Sequence, residues 1–103
     1  MDGDLRAMAN VDRTIHEPSR LVIVAILYFV ESADFLYLLR ETQMTKGNLS
    51  SHLAKLEDRG YIEIEKTYRG KVPRTICRLT KSGQAAFRQY RRSVKRAMDS
   101  MSK

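Results

Sequence analysis

Apolar positions along this chain fall into stretches with different spacing, and the spacing predicts the elements. Leu21 to Val30 is a run of ten residues with no charged residue in it. Its β-branched residues suit a buried strand as well as a helix, and periodicity alone does not separate the two. Pro18 favours the helix, because proline fits a first helical turn where its missing N–H costs nothing. The helix is expected to stop near Glu31-Ser32. A helix apolar all round must be covered on every side, which a domain this small hardly manages alone, so a second subunit is expected. Ahead of it, residues 1–11 read as a flexible lead-in and Asp12 as the cap of a short turn. After it, Asp34 caps a second helix, Phe35 to Thr42, with Phe35, Leu38 and Leu39 on one side.

Met44-Thr45 makes a short turn into a third helix over 46–59, capped by Thr45 and buried through Leu49, Leu53 and Leu56 at steps of four and three. Its outer face carries Gly47, Asn48, Ser51, Ala54 and Lys55, with no large apolar side chain. Such a face can lie against a polar surface like the DNA major groove, where short polar side chains and lysine reach base edges and phosphates. A short helix, a tight turn and a longer polar-faced helix follow the helix-turn-helix order.

Gly60 then stops the helix, and the period changes from helical to two. Ile62 and Ile64 point one way and Glu63 and Glu65 the other, a half-buried strand over 61–68. Arg69 to Arg74 reads as a loop punctuated by Gly70 and Pro73, and Thr75 to Thr80 as a returning strand with Cys77 and Leu79 on one face. Together they form a β-hairpin with Lys66, Arg69, Lys71 and Arg74 at its tip. Thr80 caps a last helix, Lys81 to about Met98. Phe87, Tyr90, Val94, Ala97 or Met98, and Met101 make a seam at steps of three and four. The pattern is mainly α with a small β-hairpin, an α+β domain over residues 12–103.

Charge sharpens this picture. The chain has 103 residues and a net charge of +7, which favours a polyanionic partner. Residues 1–45 hold 4 Lys+Arg against 7 Asp+Glu, whereas residues 81–103 hold 7 against 1. Basic charge therefore begins at the third helix and grows after it. The outer face of the last helix, with Arg88, Arg91, Arg92, Lys95 and Arg96, either extends a phosphate footprint or solvates the outside of a dimer helix.

Candidate chemistry is otherwise sparse. One cysteine, Cys77, excludes an intramolecular disulfide and a zinc cluster, and is read as a small apolar core residue. The two histidines, His16 and His52, make no metal site. No Gly-rich phosphate loop or nucleophile–base set is present, so no enzyme, cofactor or metal is expected. The polar N-terminus and the ten-residue limit on apolar runs suggest a cytoplasmic protein with no membrane partner.

The string Asn48-Leu49-Ser50-Ser51-His52-Leu53-x-Lys55-Leu56-Glu57-x-x-Gly60-Tyr61-Ile62 resembles the recognition segment of MarR-like and ArsR-like winged-helix transcriptional regulators. Pro73-Arg74-Thr75, Arg78-Leu79-Thr80-x-x-Gly83 and Phe87 match small single-domain relatives of the MarR type. The resemblance implies a homodimer on double-stranded DNA, built through the terminal helices, with the third helix in the major groove and the hairpin as a wing on the backbone or minor groove. On that basis Thr45, Lys46, Asn48, Ser50, Ser51, His52 and Lys55 are the candidate recognition-helix contacts. His52, at the flank of the face, is either a packing or a phosphate-contacting side chain. Lys66, Arg69, Lys71 and Arg74 are the candidate wing contacts. Leu21, Val24, Tyr28, Phe87, Tyr90, Val94 and Met98 are the candidate dimer interface. The paired cysteines of metal-sensing ArsR proteins are absent. A small-molecule effector, of unknown identity, fits such a dimer near the junction of its helices. The expected function is sequence-specific DNA binding that represses transcription by occluding a promoter. The alternative is a winged-helix module that binds protein.

Overall fold

The computed structural model describes residues 5–101. Its elements are α1 (Pro18–Val30), β1 (Ser32–Asp34), α2 (Phe35–Thr42), α3 (Lys46–Asp58), β2 (Ile62–Arg69), β3 (Val72–Leu79) and α4 (Lys81–Ser100), preceded by a turn of 3-10 helix at Ala7–Asn10. The strands form one antiparallel sheet in the order β1-β3-β2. This is a winged-helix fold.

Three of the four helices start where a side-chain oxygen was expected to cap them. Asp34 accepts from the Tyr37 N–H, Thr45 from Asn48 and Thr80 from Gly83. Pro18 opens α1, with Glu17 as the cap accepting from Arg20. Asp12 Oδ1 accepts from the N–H groups of Thr14 and Ile15, closing the turn that drives Ile15 into the core. The other oxygen of Asp12 accepts the Tyr61 hydroxyl proton, which ties that turn to the head of β2.

The core is Ile15, Ile23, Val24 and Leu27 packed against Leu38 of α2, the three leucines of α3, and Ile62, Cys77, Leu79 and Phe87. Residues 7–11, expected to be part of a loose lead-in, contain the 3-10 turn; Met8 and Val11 pack on the core, and the turn lies along α4. The first four residues of that lead-in and the last two of the chain lie outside the described residues. Thr80 grips the end of α3 through its hydroxyl, which donates to Gly60 O at 2.7 Å. Gly83 then lets α4 pass so close to the sheet that a Cβ there would lie 2.1 Å from Tyr61 O. Only a residue without a side chain fits.

Two elements differ from expectation. Residues Ser32–Asp34, for which no strand was expected between the helix stop near Glu31-Ser32 and the Asp34 cap, form β1, because their backbone pairs with Ile76–Arg78 of β3. The loop expected over 69–74 shrinks to a two-residue turn at Gly70-Lys71: Arg69 pairs with Val72, Tyr68 with Pro73 and Thr67 with Arg74. Gly70 takes φ +63°, the left-handed start a tight hairpin turn needs. Pro73 is tolerated in β3 because β1 reaches only to Ile76, so the proline lies where the strand has a neighbour on one side alone.

Candidate nucleic-acid interface

Leu49, Leu53 and Leu56 are buried, which turns the rest of α3 outward. Thr45, Lys46, Gly47, Asn48, Ser50, Ser51, Ala54 and Lys55 are all exposed. The face is therefore small, polar and basic. The helix has no acidic residue in its first turn, and the positive end of its dipole favours anions. Thr45 serves the helix as its cap, at 3.1 Å from Asn48 N.

His52 does not join that face. Its side chain is 18% exposed, with Nδ1 3.8 Å from Glu17 Oε1 and 3.3 Å from Arg20 Nη1. It docks α3 on the start of α1, as one of its two expected readings has it. The spacing put it at the flank of the polar face, and only the position of α1 decides which side it joins.

Along the hairpin, Lys66, Arg69 and Lys71 are exposed. Arg74 is half-buried. Its Nη2 lies 3.1 Å from Asp34 Oδ2, where β1 meets α2. The Tyr37 N–H first, and Arg74 after it, hold the Asp34 carboxyl below the usual carboxylate range. Further down the same sheet face, Arg78 donates to Glu65 at 3.1 and 3.2 Å. The exposed ones among the candidate wing residues are thus Lys66, Arg69 and Lys71.

The candidate interface residues separate into four groups. Val24 is fully buried inside its own chain and leaves nothing for a partner to touch, a correction to its expected role. Phe87 and Tyr90 are 6% and 8% exposed, so most of their surface is spent on their own core. Leu21, Tyr28 and Val94 are half-buried and line, with those two, an open groove of about 570 Å³ between α1 and α4. Arg91 lies over it, 5.9 Å from the Tyr28 and Phe87 rings. Met98 is exposed at 61%. What sequence reasoning missed is the outer stripe of α1. Val22, Ala25, Ile26 and Phe29 follow steps of three, one and three, opposite the buried Val24 and Leu27, and Phe29 is 82% exposed. A run apolar all round carries no period that could have pointed to it.

Among the described residues, no group of three or more His, Cys, Asp or Glu could hold a metal ion, and no helix is long and apolar enough to cross a membrane. Burial pushes the Cys77 thiol up to about 11, which suits an inert core residue.

A family model described as a winged helix DNA-binding domain matches residues 19–98. An uncharacterized protein of Methanocaldococcus jannaschii is 42% identical over 72 residues, 69% of this chain and 77% of that protein. The structure of a transcriptional regulator homologue from Pyrococcus horikoshii OT3 superposes with a TM-score of 0.88 at 26% identity, covering 100% of both chains. A MarR-family transcriptional regulator from Silicibacter pomeroyi has a TM-score of 0.64 at 20% identity, over 93% of this chain and 66% of its own, a likeness of fold.

Proposed function

We propose that this chain, which belongs to the winged helix DNA-binding domain family, is a sequence-specific DNA-binding transcriptional regulator that works as a homodimer and represses. Membership makes it a DNA-binding regulator and not an enzyme. The observation that carries the finer reading is the outer face of α3: Lys46, Asn48, Ser50, Ser51 and Lys55 exposed together, with every leucine turned inward. In the major groove these side chains hydrogen-bond base edges and phosphates. Lys66, Arg69 and Lys71 bind the flanking backbone and fix the register without reading sequence.

A second copy covers the apolar stripe Val22, Ile26 and Phe29, the adjoining groove at Leu21 and Tyr28, and Val94 and Met98 of α4. A two-fold dimer built this way presents two α3 helices to a palindromic site. On an operator overlapping a promoter, such a dimer excludes the transcription machinery, the simplest form of repression. The groove between α1 and α4 is where a small-molecule effector would act on this arrangement. Such a protein works in the cytoplasm.

A second reading, a module that binds protein instead of DNA, draws support from Leu36 of α2 and Val72 of the wing, exposed at 65% and 63%. Selection of bound fragments from random duplex DNA separates the two. The DNA reading predicts a palindromic consensus whose half-sites lie about one helical turn apart. Fragments with no shared sequence, bound weakly and with little dependence on salt, favour the protein-binding module.

A further inference from the structure

The wing is long for the support it has. β1 pairs with β3 only from Ile76 to Arg78, so from Lys66 to Thr75 the hairpin has no third strand. A two-stranded ribbon is only marginally ordered by itself and twists readily. Among the described residues, one side-chain hydrogen bond joins this stretch to the rest of the domain: Arg74 Nη2 to Asp34 Oδ2, at 3.1 Å. The register explains why they meet. Asp34 is the partner of Ile76 across the sheet, and Arg74 lies two residues from Ile76, on the same face. The same carboxylate starts α2, because Asp34 Oδ1 accepts from the Tyr37 N–H at 2.7 Å. One side chain therefore touches both the first helix of the helix-turn-helix and the wing.

We propose that Asp34 and Arg74 are a positioning pair: they hold the wing at a fixed angle to the helix-turn-helix, and so set DNA affinity without touching DNA. The proposal rests on the DNA-binding reading above. It opposes the role that the sequence alone gives Arg74, a wing contact to phosphate. The two roles predict opposite effects for Asp34→Asn. The variant keeps the helix cap, since asparagine caps as well as aspartate, but puts an amide donor opposite the guanidinium donors. If Arg74 is a phosphate contact restrained by Asp34, the variant releases it and binding tightens. If the pair positions the wing, binding weakens.

The test uses the full chain as parent, Asp34→Asn, Arg74→Gln and the double variant. Operator affinity is measured over a range of salt. In parallel, spin-label distances are measured between Lys71→Cys at the wing tip and Arg40→Cys on α2, with labelled protein diluted into unlabelled; the native Cys77 is fully buried. Both side chains are about a third exposed, so each single variant should weaken binding about fivefold per subunit, and the double no more than either single. The salt slope should match the parent's, and the distance distribution should broaden in all three variants. Tighter binding by Asp34→Asn, or a slope lowered by about 0.9 per subunit in Arg74→Gln, assigns Arg74 to phosphate and overturns the proposal. A distribution as narrow as the parent's in both single variants overturns it too. A parent that binds no DNA defeats the proposed function instead, and leaves the distance distributions to decide the pair.

Discussion

Tyr61 is the residue on which the N-terminal turn, β2 and α4 converge. Its hydroxyl donates to Asp12, its backbone oxygen accepts from Thr80 N at 3.0 Å, and that same oxygen is what Gly83 must avoid. Burial first, and then the Asp12 carboxylate, push the phenol up to about 12. A phenol whose pKa is higher folded than unfolded stabilises the fold fully below the unfolded value near 10 and loses that contribution as pH rises to 12. Unfolding free energy should therefore be level through neutral pH and fall by roughly 2–3 kcal/mol across that alkaline window. Tyr61→Phe should cost about 1 kcal/mol at pH 7 and make the alkaline fall much shallower. Denaturant titrations at several pH values check this. An equally steep fall in the Phe variant would put the titration elsewhere, with Tyr90, also raised by burial, the next candidate.

At the scale of elements, the wing and α3 are expected to behave differently on DNA. Lys71 sits in the hairpin turn, exposed, far from any element it could support. Lys71→Ala should weaken binding to all sequences alike. It should also lower the slope of log affinity against log salt by about 0.9 per subunit. An unchanged slope in an anisotropy titration would mean the side chain stays in solvent. The elements that could be read from the chain are those whose signal is local. Asp34, Thr45 and Thr80 announce helix starts, and Ile62-Glu63-Ile64-Glu65 announces a strand. β1 could not be read, because three residues hold no period and their strand state comes from pairing with β3. The Arg74 partner was hidden for the same reason: Gly70 and Pro73 suggest a loose loop, and only the register of the sheet carries the guanidinium back to Asp34. The neighbours of His52, Glu17 and Arg20, were hidden too, since a helical wheel gives its angle but not which neighbour stands there. The exposed face of α3 was fully readable, because Leu49, Leu53 and Leu56 fix the orientation of everything between them.

The molecule is elongated, 56 × 25 × 21 Å, and α4 is a helix of 20 residues. A chain this size covers its own core but not the stripe of α1, where Phe29 stands almost bare. Contiguous exposed apolar surface of this kind marks an interface. Sedimentation at micromolar concentration should give about twice the chain mass of 11.9 kDa, and Phe29→Glu should shift the mass toward one chain. A parent that sediments as a monomer would remove the two-fold geometry from the DNA complex. The central claim, however, is that α3 reads DNA, and one comparison tests it most directly. Ser51 is exposed on the face opposite the leucines, so Ser51→Glu should change stability by no more than about 0.5 kcal/mol. In the major groove the same carboxylate faces phosphates and base acceptors, twice in a symmetric dimer, where even a lost base contact costs about 1–3 kcal/mol per site. Binding of parent and variant to the selected operator is measured by anisotropy beside a thermal melt. The account predicts an unchanged melt and dimer mass with operator binding abolished; a folded, dimeric Ser51→Glu protein that binds as tightly as the parent would contradict it.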